Sequence, residues 1–341
     1  MRPNGLLIAL ICSAFAISPT LYGRTGAELP GPVTLVQADP HHPGTLLVGT
    51  ANAQLFRSRD AGNTWGPLPF PGALRSTLHA MLIDPTQANV YFLAVSSETP
   101  EYAGVFRTVD EGATWQLLPG MEQKQVWALV FWSVDSRVVA AGTQDGVFLT
   151  SDGGDSWTHL SSPGSAGPQP VMSLAFDPTN SKILYAGTPH LAWKTADGGN
   201  TWRRLTRGMQ EDSDIFSIDV DPNRRQRLFA AACSGIYSSL DGGGTWSNLE
   251  QAVGGEFRTY VIARAPRRRN LVFAGTSSGL MHSPDGGATW RRLSAATVRS
   301  IAFDPADSRH IFVATDQGIL LSEDGGTHFR PASDGLRTAV R

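Results

Sequence analysis

The chain is short of cysteine, of net charge and of long apolar runs, and each shortage closes off a class of protein. Only Cys12 and Cys233 occur in 341 residues, so no framework of internal disulfides is available. With 28 Lys and Arg against 30 Asp and Glu, the formal net charge is −2. That balance gives no general pull toward nucleic acid or an acidic membrane. The longest apolar run, Leu6 to Ile17, is about 12 residues, against the roughly 20 that a membrane-spanning helix needs. No transmembrane segment is expected in the mature chain. A nucleophilic triad, a phosphate loop and a metal-spaced His/Cys cluster are all missing. No cofactor and no metal are therefore expected.

The apolar run has a use of its own. Arg2 precedes it and Ser18-Pro19-Thr20 follows, the pattern of a secretory signal peptide over residues 1–23. Cleavage is expected between Ala16 and Gly23, although no clean A-x-A site is present. Ile11 is bulky where a lipoprotein site wants a small residue before Cys12. The expected location is secreted or periplasmic. Cys233 follows the apolar stretch Leu228–Ala232 and reads as a buried structural thiol.

What the chain has in quantity is glycine (36), proline (22) and a repeated cassette. Its fullest form is Ser283-Pro284-Asp285-Gly286-Gly287-Ala288-Thr289-Trp290. Other copies begin at Ser58, Thr108, Thr150, Thr195, Ser239 and Ser322, which makes seven. Their aspartates are Asp60, Asp110, Asp152, Asp197, Asp241, Asp285 and Asp324, spaced at about 44 residues. Short polar side chains at the first and third positions can take up nearby backbone N–H groups and lock a turn. A glycine two places beyond the Asp tolerates φ > 0. The last residue is Trp in six copies and Phe329 in the seventh, and reads as a wedge between units. These aspartates are read as turn staples and not as catalytic groups. The triplet Gly242-Gly243-Gly244 belongs to one cassette, which removes its phosphate-loop reading.

Between cassettes the grammar is constant. In residues 170–205, Val171–Phe176 reads as an inner strand ended by Asp177-Pro178. Ile183–Thr188 and Ala192–Lys194 are second and third strands, and Trp202–Leu205 follows the cassette as the fourth. Asp-Pro recurs at Asp39, Asp84, Asp221 and Asp304; the third and sixth units have Trp132-Ser133 and Ala265-Pro266 there. The expected fold is all-β: a single seven-bladed propeller of four-stranded antiparallel blades over residues 31–334, with seven cassette turns. Each end carries a complete blade, so closure by packing is expected. Residues 335–341 form a short C-terminal tail.

The cassette S-x-D-x-G-x-T-W, with strands such as "LAFDP" and "LYAGT", resembles the Asp-box (BNR) repeat. That repeat occurs in sialidases, xyloglucanase-type glycosidases, sortilin-like receptors and photosystem II assembly factors. The resemblance covers roughly residues 31–334 and specifies fold far better than function. It implies that ligands meet the face opposite the Asp-boxes, where the second-to-third-strand loops and the interblade loops emerge.

On that face one column is chemically mixed. Five residues before each Asp-Pro position stand Thr34, His79, Trp127, Met172, Phe216, Tyr260 and Arg299. Such a ring at the channel mouth could stack on sugar or peptide groups, or merely cap the core layer. Carboxylates there include Glu98, Glu101, Glu211, Asp212, Asp214 and Glu256. Nothing in the sequence pairs them as glycoside hydrolysis requires. The sialidase Arg-Ile-Pro motif is missing, and xyloglucanase-type sites lie between two propellers. On the cassette face, Arg224, Arg225, Arg227, Arg267, Arg268 and Arg269 fall in adjacent first-to-second-strand loops, a patch for an acidic partner or a solvated surface.

The reading is an exported, non-catalytic binding or assembly module with a protein or glycan partner and no nucleic acid, expected as a monomer. The alternative is a glycoside hydrolase, xyloglucanase- or sialidase-like, with a divergent carboxylate site; Glu98, Glu101, Glu211 and Asp214 are its candidates.

Overall fold

The computed structural model describes residues 31–72, 75–160, 167–211, 213–249, 257–268, 270–333 and 336. The signal segment with Cys12, the candidates Asp212, Glu256 and Arg269, and residues 337–341 lie outside the described residues.

Seven antiparallel sheets follow one another along the chain, each of four strands paired in sequence order. Blade four shows the pattern: Ser173–Asp177, Asn180–Gly187, Ala192–Thr195 and Arg203–Leu205. The inner strands of the other blades are Val33–Ala38, Ser76–Ile83, Val126–Trp132, Ile215–Val220, Thr259–Arg264 and Val298–Phe303. The expected architecture is the observed one. A 3-10 turn at Pro100–Tyr102 lies in the blade-two loop.

The cassettes behave as turn staples. Ser58 Oγ donates to Asp60 Oδ1 at 2.8 Å and accepts the Gly62 N–H at 2.8 Å. Asp60 Oδ1 accepts the Thr64 N–H at 2.8 Å, and Oδ2 accepts the Thr64 hydroxyl at 2.6 Å. The same lattice recurs around Asp110, Asp197, Asp241 and Asp285. Hydrogen bonds from Thr108 and Thr114 hold the Asp110 carboxyl down at about 2.

A second staple sits at the same end of five blades, all but three and six. The Asp of each Asp-Pro is buried and accepts backbone N–H groups two and three residues on. Asp84 Oδ1 takes those of Thr86 at 2.7 Å and Gln87 at 3.1 Å; Asp177 takes those of Thr179 at 2.8 Å and Asn180 at 3.1 Å.

The core is divided into seven layers, one per interface between blades. Trp115 packs against blade one, Trp157 joins the blade-two layer, and Trp246 the blade-four layer. The ring closes without a shared sheet. Trp65 of blade one is buried among Ala314, Ile319, Leu321 and Ala332 of blade seven. Its indole N–H reaches the Gly62 carbonyl at 3.0 Å and the Ala332 carbonyl at 3.2 Å. Leu336 is fully buried in the same layer. Blades come very close at the second strand. A Cβ on Gly187 would overlap Ser173 Oγ and stand 2.5 Å from the Ile215 carbonyl oxygen.

Candidate functional site at the channel mouth

The mixed column stands where the inner strands break register. In blade two, Leu78 pairs with Val95 and Ala80 with Ala94, so His79 is the extra residue of a bulge. Thr34, Trp127, Phe216, Tyr260 and Arg299 hold the same place in blades one, three, five, six and seven. In blade four, Ser173 pairs with Gly187 while the Met172 N–H also bonds the Gly187 carbonyl at 2.8 Å. A bulge leaves one residue unpaired, bends the strand locally and re-aims a side chain. Here it is used in six of the seven blades, at the same depth.

Four of these residues, His79, Trp127, Met172 and Phe216, border a central cavity of about 300 Å³ with Val261, Ser173, Ser217 and Ser300. No carboxylate lines it among the described residues. Phe216 and Tyr260 lie with ring centroids 5.8 Å apart, and the Arg299 guanidinium carbon stands 4.0 Å over the Tyr260 ring. Such stacked cation and rings are worth about 0.5–2 kcal/mol per contact. Opposite, His79 Nε2 lies 2.7 Å from Ser96 Oγ. The His79 side chain opens to the channel while protein surrounds it, and that desolvation lowers its pKa from 6.5. It is a neutral hydrogen-bonding group near pH 7.

The candidate carboxylates stand apart from this cavity. Glu98 forms an exposed ion pair with Arg75 at 2.8 Å. Glu101 is exposed in the 3-10 turn, and Glu211 is exposed in an interblade loop. Asp214 is half-buried; burial raises its pKa, opposed by the charges of Arg258 and His190. Its backbone N–H meets Cys233 Sγ at 3.3 Å. Cys233 is half-buried, where the sequence suggested full burial, because it sits in a two-residue turn on the face opposite the Asp-boxes.

The arginines of the opposite face have divided roles. Arg224 pairs with the buried Asp221 at 3.2 Å, and Arg225 reaches Thr179 Oγ1 at 3.4 Å. Arg227 turns inward and donates to the Gly286 carbonyl in the next blade's cassette. Arg267 donates to the Ala306 carbonyl at 3.3 Å, and Arg268 lies against Gly325. Arg227 belongs to a stitch that the sequence reading missed. Arg57 donates to Glu111 O at 3.2 Å, Arg107 to Gly153 O at 2.8 Å and Lys194 to Gly242 O at 2.9 Å, each at the fourth cassette position of the next blade. The signal was available: a cation stands immediately before the cassette in those three blades. Arg264 was also missed. It is buried between blades five and six, 2.8 Å from Asp219 and 3.0 Å from Asp221.

The family model Sortilin-Vps10, described as "Sortilin, neurotensin receptor 3", matches residues 103–227. Solved propellers superpose over most of the chain. The GH74 xyloglucanase from Xanthomonas campestris is 20% identical with a TM-score of 0.69, covering 88% of this chain and 53% of that one. YCF48 bound to D1 peptide is 18% identical with a TM-score of 0.65, covering 87% of this chain and 94% of that one. This chain is a seven-bladed propeller of Asp-box repeats. Among curated proteins, a probable oligoxyloglucan-reducing end-specific xyloglucanase of Neosartorya fischeri is 26% identical over 133 residues, 38% of this chain and 16% of that protein. The propeller thus spans about half of the solved xyloglucanase and under a fifth of the curated relative. At these identities the solved neighbours speak to fold.

Proposed function

We propose that this propeller is an exported, non-catalytic binding module that holds a protein or glycan partner at the channel mouth opposite the Asp-boxes. One observation carries the reading: six of the seven inner strands spend a bulge on the same column, and that column is the chemically mixed one. A core-capping layer needs no bulge, since ordinary strand alternation already buries apolar side chains. Phe216, Tyr260 and Arg299 supply stacking surfaces, and His79 and Ser96 supply hydrogen bonds. That mixture suits a ligand with planar or ring faces and a polar backbone. YCF48, similar over nearly its whole length, is known bound to a peptide, which supports a peptide-class partner. Export rests on the N-terminal apolar run.

Glycoside hydrolysis is the weaker reading. It needs two carboxyl groups about 5–10 Å apart across the scissile bond. The described cavity lining contains none, and Glu98 is already paired with Arg75. The test is to probe the purified protein on peptide and glycan arrays while assaying chromogenic glycosides. Binding that Trp127→Ala and Tyr260→Ala weaken, without turnover, is expected. Turnover lost in Glu98→Ala or Glu211→Ala would overturn the proposal.

A further inference from the structure

On the Asp-box face, blades six and seven leave a cavity of about 450 Å³ lined by Arg268, Asn270, His282, Arg291 and the cassette residues Gly325 to Thr327. Its origin lies in the stitch. Blades one, two and four place Arg57, Arg107 and Lys194 just before the cassette, and those side chains fill the corresponding gap. Blade six has His282 at that position, and it is shorter. Arg268 comes instead from the first-to-second-strand loop and lies over Gly325. The gap stays open.

The groups facing it all donate. His282 is only 7% exposed and packs on Phe273, with ring centroids 5.0 Å apart. Its Nδ1 accepts the Arg291 Nε–H at 3.3 Å. An arginine Nε can only donate, so the neutral imidazole carries its proton on Nε2. That Nε2–H has no partner among the described residues. Arg268 likewise has no ion pair among the described residues, and Arg291 keeps its terminal nitrogens free of any among them. The nearby carboxylates, Asp285 and Asp324, are turned into their own cassettes and do not line the cavity. Asp285 is taken by Ser283 and Thr289, and Asp324 by Ser322, His328 and the Thr327 N–H. Two guanidinium groups, an imidazole N–H and the Asn270 amide thus surround a space whose described lining contains no carboxylate.

We infer that this cavity is a binding site for a tetrahedral oxyanion, a phosphate or sulfate group, held by Arg268, Arg291 and His282. Two fixed positive charges match a dianion, and donors from three strands and loops approach it from different sides. The cavity is larger than a bare oxyanion, so it has room for the group to which the anion is attached. This site is independent of the channel mouth and stands or falls separately from it.

The test is calorimetric titration of the full chain with inorganic phosphate, and in parallel inorganic sulfate, in chloride buffer at constant ionic strength. Saturable binding is expected for at least one anion. Arg268→Gln and Arg291→Gln should each weaken it by roughly tenfold or more. Arg225→Gln, in the neighbouring arginine-rich loop, should leave it unchanged. Gly325→Ala should weaken binding too, because its methyl would meet the Arg268 guanidinium. Circular dichroism checks that each variant keeps the native sheet. O-phosphoserine and a sulfated monosaccharide then distinguish the two sources. Absence of saturable binding overturns the inference. So does equal loss in Arg225→Gln, which would mean diffuse surface attraction.

Discussion

Two cassette tryptophans differ in one respect that can be measured. Trp65 and Trp246 occupy the same position of their repeats and are 7% and 4% exposed. The Trp65 N–H has two carbonyl acceptors, at 3.0 and 3.2 Å. The Trp246 N–H is buried with none. Replacing either indole by phenyl removes about the same apolar area, so that cost largely cancels between the two variants. What remains is the hydrogen bond. Trp65→Phe forfeits a net contribution of about 1 kcal/mol and strands the Ala332 carbonyl at the closure interface. Trp246→Phe discards an unsatisfied donor whose burial already costs about 1–3 kcal/mol. Trp65→Phe should therefore be the more destabilising, by about 2 kcal/mol. Phe329, the natural seventh wedge, shows that phenyl fits the position. Guanidinium unfolding followed by far-UV circular dichroism reads the difference as a midpoint shift at equal slope. Equal costs, or a larger one for Trp246→Phe, would refute the idea that hydrogen bonding to blade seven reinforces closure.

Further outcomes follow from the same geometry. Gly187→Ala should cost more than about 3 kcal/mol, because the Ile215 backbone stands 2.5 Å from the new methyl; Gly153→Ala meets nothing within 4 Å and should cost only about 1 kcal/mol for its positive φ. Thermal melts of both variants check this. The cassette carboxyls of Asp110, Asp197, Asp241 and Asp285 are depressed from 3.8 to about 2. A depressed folded-state value means stability that is present above pH 3.8 and lost as pH falls through about 2. Melting temperature should thus drop most steeply between those values, and a plateau down to pH 2 would contradict it. If export is correct, mass spectrometry of protein recovered outside the cytoplasm should give an N-terminus between Ala16 and Gly23.

Blade number and strand order were legible because each depends on local turn chemistry repeated seven times. Counting from the Asp-Pro positions also found the mixed column. Its bulge was hidden, since a bulge is a property of pairing with the second strand and leaves no mark in the inner strand's own alternation. The Asp-Pro aspartates read as punctuation, while burial makes them a second set of turn staples in five blades. Arg227 and Arg268 read as members of one surface patch. Their different roles depend on where Arg57, Arg107 and Lys194 have counterparts in other blades, a comparison across repeats that charge clustering does not make. The oxyanion cavity follows from one such missing counterpart, His282.

The channel-mouth claim is tested most directly by binding measured with and without the re-aimed column. On peptide and glycan arrays, the native protein should capture a defined ligand set. Trp127→Ala and Tyr260→Ala, each with native circular dichroism, should weaken that capture by about tenfold or more, corresponding to roughly 1.4 kcal/mol or more. Capture that both variants retain in full would contradict the account and return the column to the role of a core cap.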